Sequence, residues 1–442
     1  MAVKKKLYIE TYGCQMNFSD SEIVGAIMKE NNYEITDEDS NADLILINTC
    51  SIRENAEQRI RKRLRELNAL KKKNQNLTIG ILGCMAERLK EQLLEEQKEV
   101  DLIAGPDSYR DLPRLVGITD SGEKAANVIL SAEETYADIT PVKYGDNKVS
   151  AFISIMRGCE NFCAYCVVPY TRGKERSRNP YTIIDEVKHL MSLGYKEVTL
   201  LGQNVNSYCY ESDENNIGFP DLMRMVAEVS PLLRVRFATS HPKDISDKLL
   251  EVMALYPNIC KHIHLPAQSG STSMLKRMNR KYSREWYLER MDAAKRYLPD
   301  CSITTDIIAG FCGETEEEHK DTLSLMKEVG YSSAFMFKYS ERPNTYAAKK
   351  MEDDVDDKVK GRRLQEIIAL QGELSLEYNK KMIGKTVEVL VEKTSKRSVH
   401  DLCGRNSQNI MVVFPDNGAA AGDYVNVLIK ECTPATLKGE AV

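Results

Sequence analysis

The sequence has no surplus of positive charge: its 442 residues hold 61 Lys and Arg against 66 Asp and Glu, a net charge of −5. Nothing global marks a nucleic-acid binder, so any RNA contact must come from local basic patches. Long apolar runs are missing too. No window approaches the roughly 18 apolar residues of a membrane span, and Met1-Ala-Val-Lys-Lys-Lys runs straight into a strand-like segment with no apolar core of signal-peptide length. A cytoplasmic protein without membrane contact is expected. There is no internal repeat and no low-complexity tract. Cysteine, by contrast, is plentiful. Twelve cysteines in a reducing compartment argue against a disulfide framework and for metal ligands, reactive thiols or small buried hydrophobes.

At about 150 residues per domain the length calls for two or three domains. Residues 1–140 read as strand–helix alternation, with strands at Leu7–Thr11, Leu44–Asn48 and Leu77–Leu82 and helices at Ser19–Asn31 and Glu54–Lys73. This is the pattern of a parallel α/β sheet. The polar stretch Thr140–Lys148, with Pro141 and Gly145, reads as a linker. Six strands are then expected, at Phe152–Met156, Val198–Leu201, Val235–Ala238, His262–Leu265, Ile303–Ile308 and Ala334–Tyr339, with helical segments between them. Six βα units predict a partial (β/α)6 barrel over residues 145–375, with its chemistry on the loops after the C-terminal ends of the strands. Residues 376–440 read as short β-runs with turns, a small all-β barrel.

Two cysteine triads stand out. Cys159-Glu-Asn-Phe-Cys163-Ala-Tyr-Cys166 directly follows the first barrel strand, which presents three thiolates at the mouth of the barrel. A cubane cluster held by three thiolates keeps one iron open to an exchangeable ligand, whereas structural zinc is usually closed by four. A zinc knuckle with a distant fourth ligand is the alternative. Cys14, Cys50 and Cys84 each follow an apolar strand-like run. If helical crossovers join those strands, all three C-terminal ends lie along one sheet edge, where open α/β folds bind ligands. Glycines before Cys14 and Cys84 are expected to leave room for a bulky inorganic group. Buried structural cysteines are the alternative here. Cys209, Cys260, Cys301, Cys312, Cys403 and Cys432 show no such pattern and read as structural thiols. His241, His262 and His264 read as core histidines without a metal.

The Cys-x3-Cys-x-aromatic-Cys spacing, with Tyr165 before the last cysteine, resembles the signature of the radical S-adenosylmethionine superfamily. Further motifs are Tyr12-Gly-Cys-Gln-Met-Asn, Asn48-Thr-Cys-Ser-Ile-Arg, Leu82-Gly-Cys-Met-Ala, Pro169-Tyr-Thr-Arg-Gly-Lys-Glu, Leu201-Gly-Gln-Asn-Val-Asn-Ser-Tyr and His264-Leu-Pro-Ala-Gln-Ser-Gly-Ser. With these the whole chain resembles the methylthiotransferases, and within them the MiaB-type tRNA-modifying branch. That resemblance implies two [4Fe–4S] clusters, one on Cys159, Cys163 and Cys166 and an auxiliary one on Cys14, Cys50 and Cys84. It further implies two S-adenosylmethionine molecules, one a methyl donor and the other a source of the 5′-deoxyadenosyl radical. The implied product carries a methylthio group on carbon 2 of N6-isopentenyladenosine at tRNA position 37. Tyr165, Gly202, Gln203 and Asn204, with Ala309 and Gly310, are the implied cofactor contacts.

The C-terminal module resembles a TRAM domain, which implies tRNA contact through the loop Arg405, Asn406, Gln408 and Asn409. With seven basic and seven acidic residues from Lys385 to Val442, only a one-sided patch such as Lys393, Lys396 and Arg397 could serve. The loop with Arg172, Lys174, Arg176 and Arg178, just past the barrel triad, is expected to guide an anionic substrate. A basic helix at Arg59–Arg65 reads equally well as a solvated face. The expected partners are the anticodon stem-loop of a tRNA, a flavodoxin- or ferredoxin-like electron donor and an iron–sulfur or sulfur delivery protein, with the chain itself a monomer. The rival readings are a methylthiotransferase for threonylcarbamoyl-adenosine or for a ribosomal protein, and a non-catalytic iron–sulfur RNA-binding protein.

Overall fold

The computed structural model describes residues 4–50, 54–143, 148–212 and 216–442. Gly145 of the expected linker and Ser51–Arg53 of the second cysteine motif lie outside the described residues. A six-stranded sheet comes first: β1 (Lys5–Thr11), β2 (Tyr33–Ile35), β3 (Leu44–Thr49), β4 (Thr78–Gly83), β5 (Leu102–Ala104) and β6 (Ala125–Asn127). Its order is β2-β1-β3-β4-β5-β6, and every pairing is parallel. Both faces are covered by helices, so β3 and β4 are buried along their whole length and read as continuous apolar runs. The register sets Thr11 beside Asn48 and Asn48 beside Leu82. The chain therefore leaves β1, β3 and β4 at one level, and Cys14, Cys50 and Cys84 follow at once.

The second unit carries six parallel strands in chain order. β7 (Ser150–Ser154), β8 (Glu197–Leu201) and β9 (Arg234–Phe237) form one sheet, and β10 (His262–His264), β11 (Ser302–Ala309) and β12 (Ser333–Lys338) form another. A parallel bridge between Val235 and Ile259 joins the two into an open barrel. The third unit is a closed barrel of β13 (Thr386–Thr394), β14 (Asp401–Asn406), β15 (Met411–Pro415), β16 (Tyr424–Cys432) and β17 (Thr436–Ala441). The sequence pattern reveals β13, β15 and β16 but hides β14 and β17. Each of these two puts a glycine at a position facing the barrel core: a Cβ on Gly404 would lie 1.9 Å from the Leu390 carbonyl oxygen, and one on Gly439 2.3 Å from that of Leu428. Glycine breaks the apolar alternation that betrays a strand while allowing the backbones to meet closely.

The polar stretch after β6 is not slack. Val142 N–H donates to the Glu22 carbonyl at 3.1 Å, and Lys143 Nζ reaches the Glu22 carboxylate at 2.5 Å. A buried ion cage then joins the sheet domain to the barrel. Asp20, on the helix Gln15–Glu30, accepts from Arg157 Nη1 at 2.8 Å and Arg172 Nη2 at 2.7 Å. Asp107, beyond β5, takes Arg176 Nη2 at 2.9 Å. The Arg157 guanidinium also lies 4.9 Å from the ring centre of Tyr136, which stacks on Tyr109. Burial pushes the Asp20 carboxyl up, but the two guanidiniums outweigh it and hold it below the usual carboxylate range.

Removing one partner of a buried pair strands the other charge at a cost of about 3–5 kcal/mol. Asp20→Ala is expected to destabilise the chain by about that much at neutral pH, measured by chemical denaturation. Because the folded-state pKa is depressed, Asp20's contribution is present above the unfolded pKa and is lost as pH falls through the folded one. The stability gap between wild type and variant should therefore close in acid, and a gap independent of pH would contradict the cage.

Candidate active site

At the sheet edge Cys14 caps the helix Gln15–Glu30, which starts four residues before the periodicity suggested. Two motif asparagines lock the cysteine loops together. Asn17 Nδ2 donates to Asn48 Oδ1 at 3.0 Å, and Asn48 Nδ2 donates to the Asn17 carbonyl at 2.9 Å. Cys14 Sγ donates to Asn17 Oδ1 at 3.1 Å, and Thr49 Oγ1 ties the third loop in by donating to the Leu82 carbonyl at 3.0 Å. The flanking glycines do something other than expected. A Cβ on Gly13 would lie 2.4 Å from Cys50 Cβ, and one on Gly83 2.4 Å from Asn48 Oδ1. Their missing side chains let the cysteine loops close on one another rather than making space for a ligand, and positive φ angles of 126° and 86° complete the turns.

Hydrogen bonding with Cys50 pulls the Cys14 thiol down to about 6 against its desolvation, with the charge of Arg172 adding to the effect. Burial pushes Cys84 up, opposed by the same arginine. Arg172 is 3% exposed, and its Nη1 has no hydrogen-bond partner among the described residues.

The second triad sits on the loop after β7. Gly158 permits the turn: at φ 81° a Cβ there would strike the Lys174 carbonyl oxygen. Asn161 Nδ2 donates to Cys159 Sγ at 3.4 Å and Arg280 Nη1 to Cys163 Sγ at 3.2 Å. Burial raises Cys159 to about 11 and pushes Cys166 up as well, where the neighbouring Cys163 adds to it. Two thiols of the set that resist ionisation in the bare chain suit a cationic cluster that would favour their thiolate forms. Among the described residues no three His, Cys, Asp or Glu side chains gather tightly enough for one metal ion.

Both triads open into one cavity of about 1120 Å3 that continues down the barrel axis. Its wall is polar. Alternate residues of the strands face inward, giving Glu197 and Thr199 from β8, Arg236 from β9, His262 and His264 from β10, and Thr304 and Asp306 from β11. Glu197 pairs with Arg236 at 2.7 Å, and Thr304 Oγ1 lies 3.1 Å from His262 Nε2 and 3.0 Å from His264 Nδ1. The rim holds strained backbone, with Thr239 at φ 71° and Gln268 at φ 68°. Gln203 Oε1, Ser240 Oγ and His241 Nε2 line the cavity yet have no protein partner among the described residues. Orphaned polar atoms beside a thiol triad fit a polar cofactor that would pair them.

Several expected site residues stand elsewhere. Tyr165, Gly202 and Gln203 border the cavity. Asn204 is 1% exposed, and its Nδ2 donates to Asp244 at 2.7 Å. Ala309 is buried, and Gly310 packs against the Lys360 stem with its N–H bound to Glu314 at 2.7 Å, so neither offers the adenine approach expected of it. Arg172, Arg176 and Arg178 are buried and paired with Asp20, Asp107 and Glu186. They are interior ties, not RNA contacts, and only Lys174 of that loop is exposed. The backbone of the segment from Arg405 to Asn409 is also bound to the barrel, while the Arg405 side chain stays part-exposed beside Glu392. Arg234 Nη1 donates to the Arg405 carbonyl at 2.7 Å, Arg236 Nη2 to that of Asn406 at 2.8 Å, and Gln408 Nε2 to that of Asp300 at 3.3 Å. Asn406 is 1% exposed, and Gln408 and Asn409 line the cavity. Sequence reasoning missed Arg280, the barrel-bottom arginines and the place of Arg172 beside the thiols, because a basic residue in a polar stretch reads as surface charge.

Three family models match: "Uncharacterized protein family UPF0004" over residues 6–105, "Radical SAM superfamily" over 153–326 and "TRAM domain" over 380–442. The chain is 58% identical over 439 residues to the tRNA-2-methylthio-N(6)-dimethylallyladenosine synthase of Bacteroides fragilis, covering 99% of this chain and 96% of that protein. It matches the like-named protein of Porphyromonas gingivalis at 56% identity over 442 residues, with 99% and 95% covered. Among solved structures, the radical S-adenosylmethionine methyltransferase TsrM from Kitasatospora setae aligns with a TM-score of 0.59 at 11% identity, covering 78% of this chain and 74% of that one. The cobalamin-dependent radical enzyme OxsB aligns with a TM-score of 0.53 at 14% identity, covering 83% and 56%. At such identities the likeness is one of fold.

In the metal-free chain Cys14 is expected to be alkylated by iodoacetamide at pH 7 at least about tenfold faster than Cys84, as followed by peptide mass spectrometry. A depressed pKa makes the thiolate the main form above it, so the rate should climb with pH and level off beyond about 6. A rate still rising steeply at pH 8 would refute that thiol environment.

Proposed function

The chain belongs to the family of tRNA-2-methylthio-N6-dimethylallyladenosine synthases, and from that premise we propose how its residues divide the reaction. The protein is a radical S-adenosylmethionine enzyme that installs a methylthio group on carbon 2 of N6-dimethylallyladenosine, at position 37 of tRNA. The observation that carries this reading is the one cavity onto which both thiol triads open. We assign [4Fe–4S] clusters to Cys159, Cys163 and Cys166 and to Cys14, Cys50 and Cys84. When bound, they supply one-electron cleavage of S-adenosylmethionine and an open iron for sulfur. The division of the chain at 1–140, 145–375 and 376–440 follows the same reading.

The remaining work falls to the chain itself. Gln203, Ser240 and His241 have unpaired polar atoms with which to hold the cofactor's polar groups. Burial holds His241 neutral, so its ring binds as a hydrogen-bonding group and not as a cation. Deeper in, Thr199, Thr304, Asp306 and His264 offer donors and acceptors to the edge of a nucleobase swung out of its stack. The barrel wall shields part of the cavity from bulk water that would quench a radical. At the rim the exposed rings of Phe162 and Tyr170 meet edge to face at 6.0 Å, and Lys349 Nζ lies 5.6 Å from the Tyr170 ring centre. These suit the stacking of neighbouring nucleotides. The exposed Lys393, Lys396 and Arg397, with the part-exposed Arg405, are placed to meet phosphates. A flavodoxin- or ferredoxin-like donor, a sulfur supplier, a monomeric state and a cytoplasmic setting complete the reading.

Incubation with isopentenylated and threonylcarbamoylated tRNA, followed by nucleoside mass spectrometry, tests the substrate. Product from the first alone is expected, and product from the second alone would refute the assignment. Cys50→Ala should leave 5′-deoxyadenosine formation within about twofold of wild type and abolish methylthiolation, whereas surviving transfer removes Cys50 from the mechanism. Replacing Lys393, Lys396 and Arg397 together with Gln should weaken binding of the anticodon stem-loop uniformly across sequences. The salt slope should flatten by about 1 for each cation that had neutralised a phosphate, and an unchanged slope sends the RNA elsewhere.

A further inference from the structure

We propose that Arg172 is a positioning residue for the group held by Cys14, Cys50 and Cys84, the buried cation that favours the electron-rich state of that group and donates to its sulfurs. The inference rests on the auxiliary-cluster reading above. Three observations carry it. Arg172 is 3% exposed and ends the short helix Val168–Arg172, so the barrel domain delivers its guanidinium into the sheet-edge cavity that Cys14, Cys50 and Cys84 line. One arm is fixed: Nη2 donates to Asp20 Oδ2 at 2.7 Å. The other arm, Nη1, is buried and finds no protein acceptor among the described residues.

A buried charged donor left unpaired is costly. Asp20 cannot offset that cost, because its carboxylate is already shared with Arg157 at 2.8 Å. Three thiolates outweigh the charge of an oxidised cubane core, so the loaded triad is an anion, and its sulfurs are the acceptors that Nη1 lacks. Net charge and hydrogen bonds to sulfur are two of the levers that set a cluster's potential. A neighbouring cation that also donates moves both in the same direction, toward easier reduction. The barrel triad has its own guanidinium in Arg280, on Cys163, so Arg172 acts on one centre selectively.

The test uses the full-length chain with Cys159, Cys163 and Cys166 replaced by Ala, so that one reconstituted cluster reports. In a redox titration followed by electron paramagnetic resonance, Arg172→Gln should make reduction at least tenfold less favourable, a shift of 59 mV for one electron. Arg172→Lys, which keeps a cation, should stay within that factor. Full iron content with an unmoved potential in Arg172→Gln, or an equal shift in both variants, would overturn the proposal and leave Arg172 as a structural tie to Asp20. Should Arg172→Gln fail to fold, unsubstituted Arg172 still decides. With arginine labelled by 15N in the guanidino group, pulsed resonance on the reduced cluster should reveal a 15N coupling, and its absence overturns the proposal. A chain that takes up no iron after the three replacements instead defeats the auxiliary-cluster reading.

Discussion

The carboxylate of Asp20 is the point on which the rest of the molecule turns. It lies on the sheet-domain helix that Cys14 caps, and it accepts from Arg157 and Arg172, which flank the other cysteine triad in the sequence. Two thiol triads drawn from distant parts of the chain can act on one substrate only if their separation is fixed. A packed apolar interface could join the domains but would tolerate small slides. Charge-assisted bonds with a fixed fork geometry do not, and burial makes any misplacement expensive. The stacked Tyr109 and Tyr136 fill the remaining space beside Arg157 and exclude the water that would weaken the pair.

How much of this was legible in the sequence depended on how far each feature reached along the chain. β1, β3 and β4 could be read because they are apolar runs, whereas the three-residue β2, β5 and β6 are too short to leave such a run. From three such runs, each followed by a cysteine, the sheet edge at Cys14, Cys50 and Cys84 followed. Six βα units gave the open barrel through the alternation of strand and helix. The roles of Arg172 and Arg176 could not be read, because each depends on a carboxylate that the fold brings in. Asp20 and Asp107 lie far away in sequence and carry no local mark of their purpose. Gly13 and Gly83 misled in a related way: glycine signals close approach, but not of what. Here it is the neighbouring cysteine loop that comes close.

The barrel interior departs from the apolar filling of closed eight-stranded barrels. Its inward positions carry Glu197, Arg236, His262, His264, Thr304 and Asp306. Most of these make hydrogen bonds within the wall, so the wall is preorganised and pays little to receive a polar guest. The rim differs, for there Gln203, Ser240 and His241 have unsatisfied atoms and Thr239 and Gln268 have strained backbones. Order below and unsatisfied groups above set a gradient of demand for a ligand that points to the level of the thiols.

The segment Arg405–Asn409 meets the barrel where its strands begin, held by Arg234 and Arg236 through backbone carbonyls. The C-terminal module is therefore the floor of the reaction vessel as well as a handle for RNA. Bonds to carbonyls ignore side-chain identity, so the outer face of the module can drift in sequence to suit different RNAs while the seal persists. Loss of the module would cost more than grip: a vessel without a floor drains, and the radical made at its top would meet solvent from below.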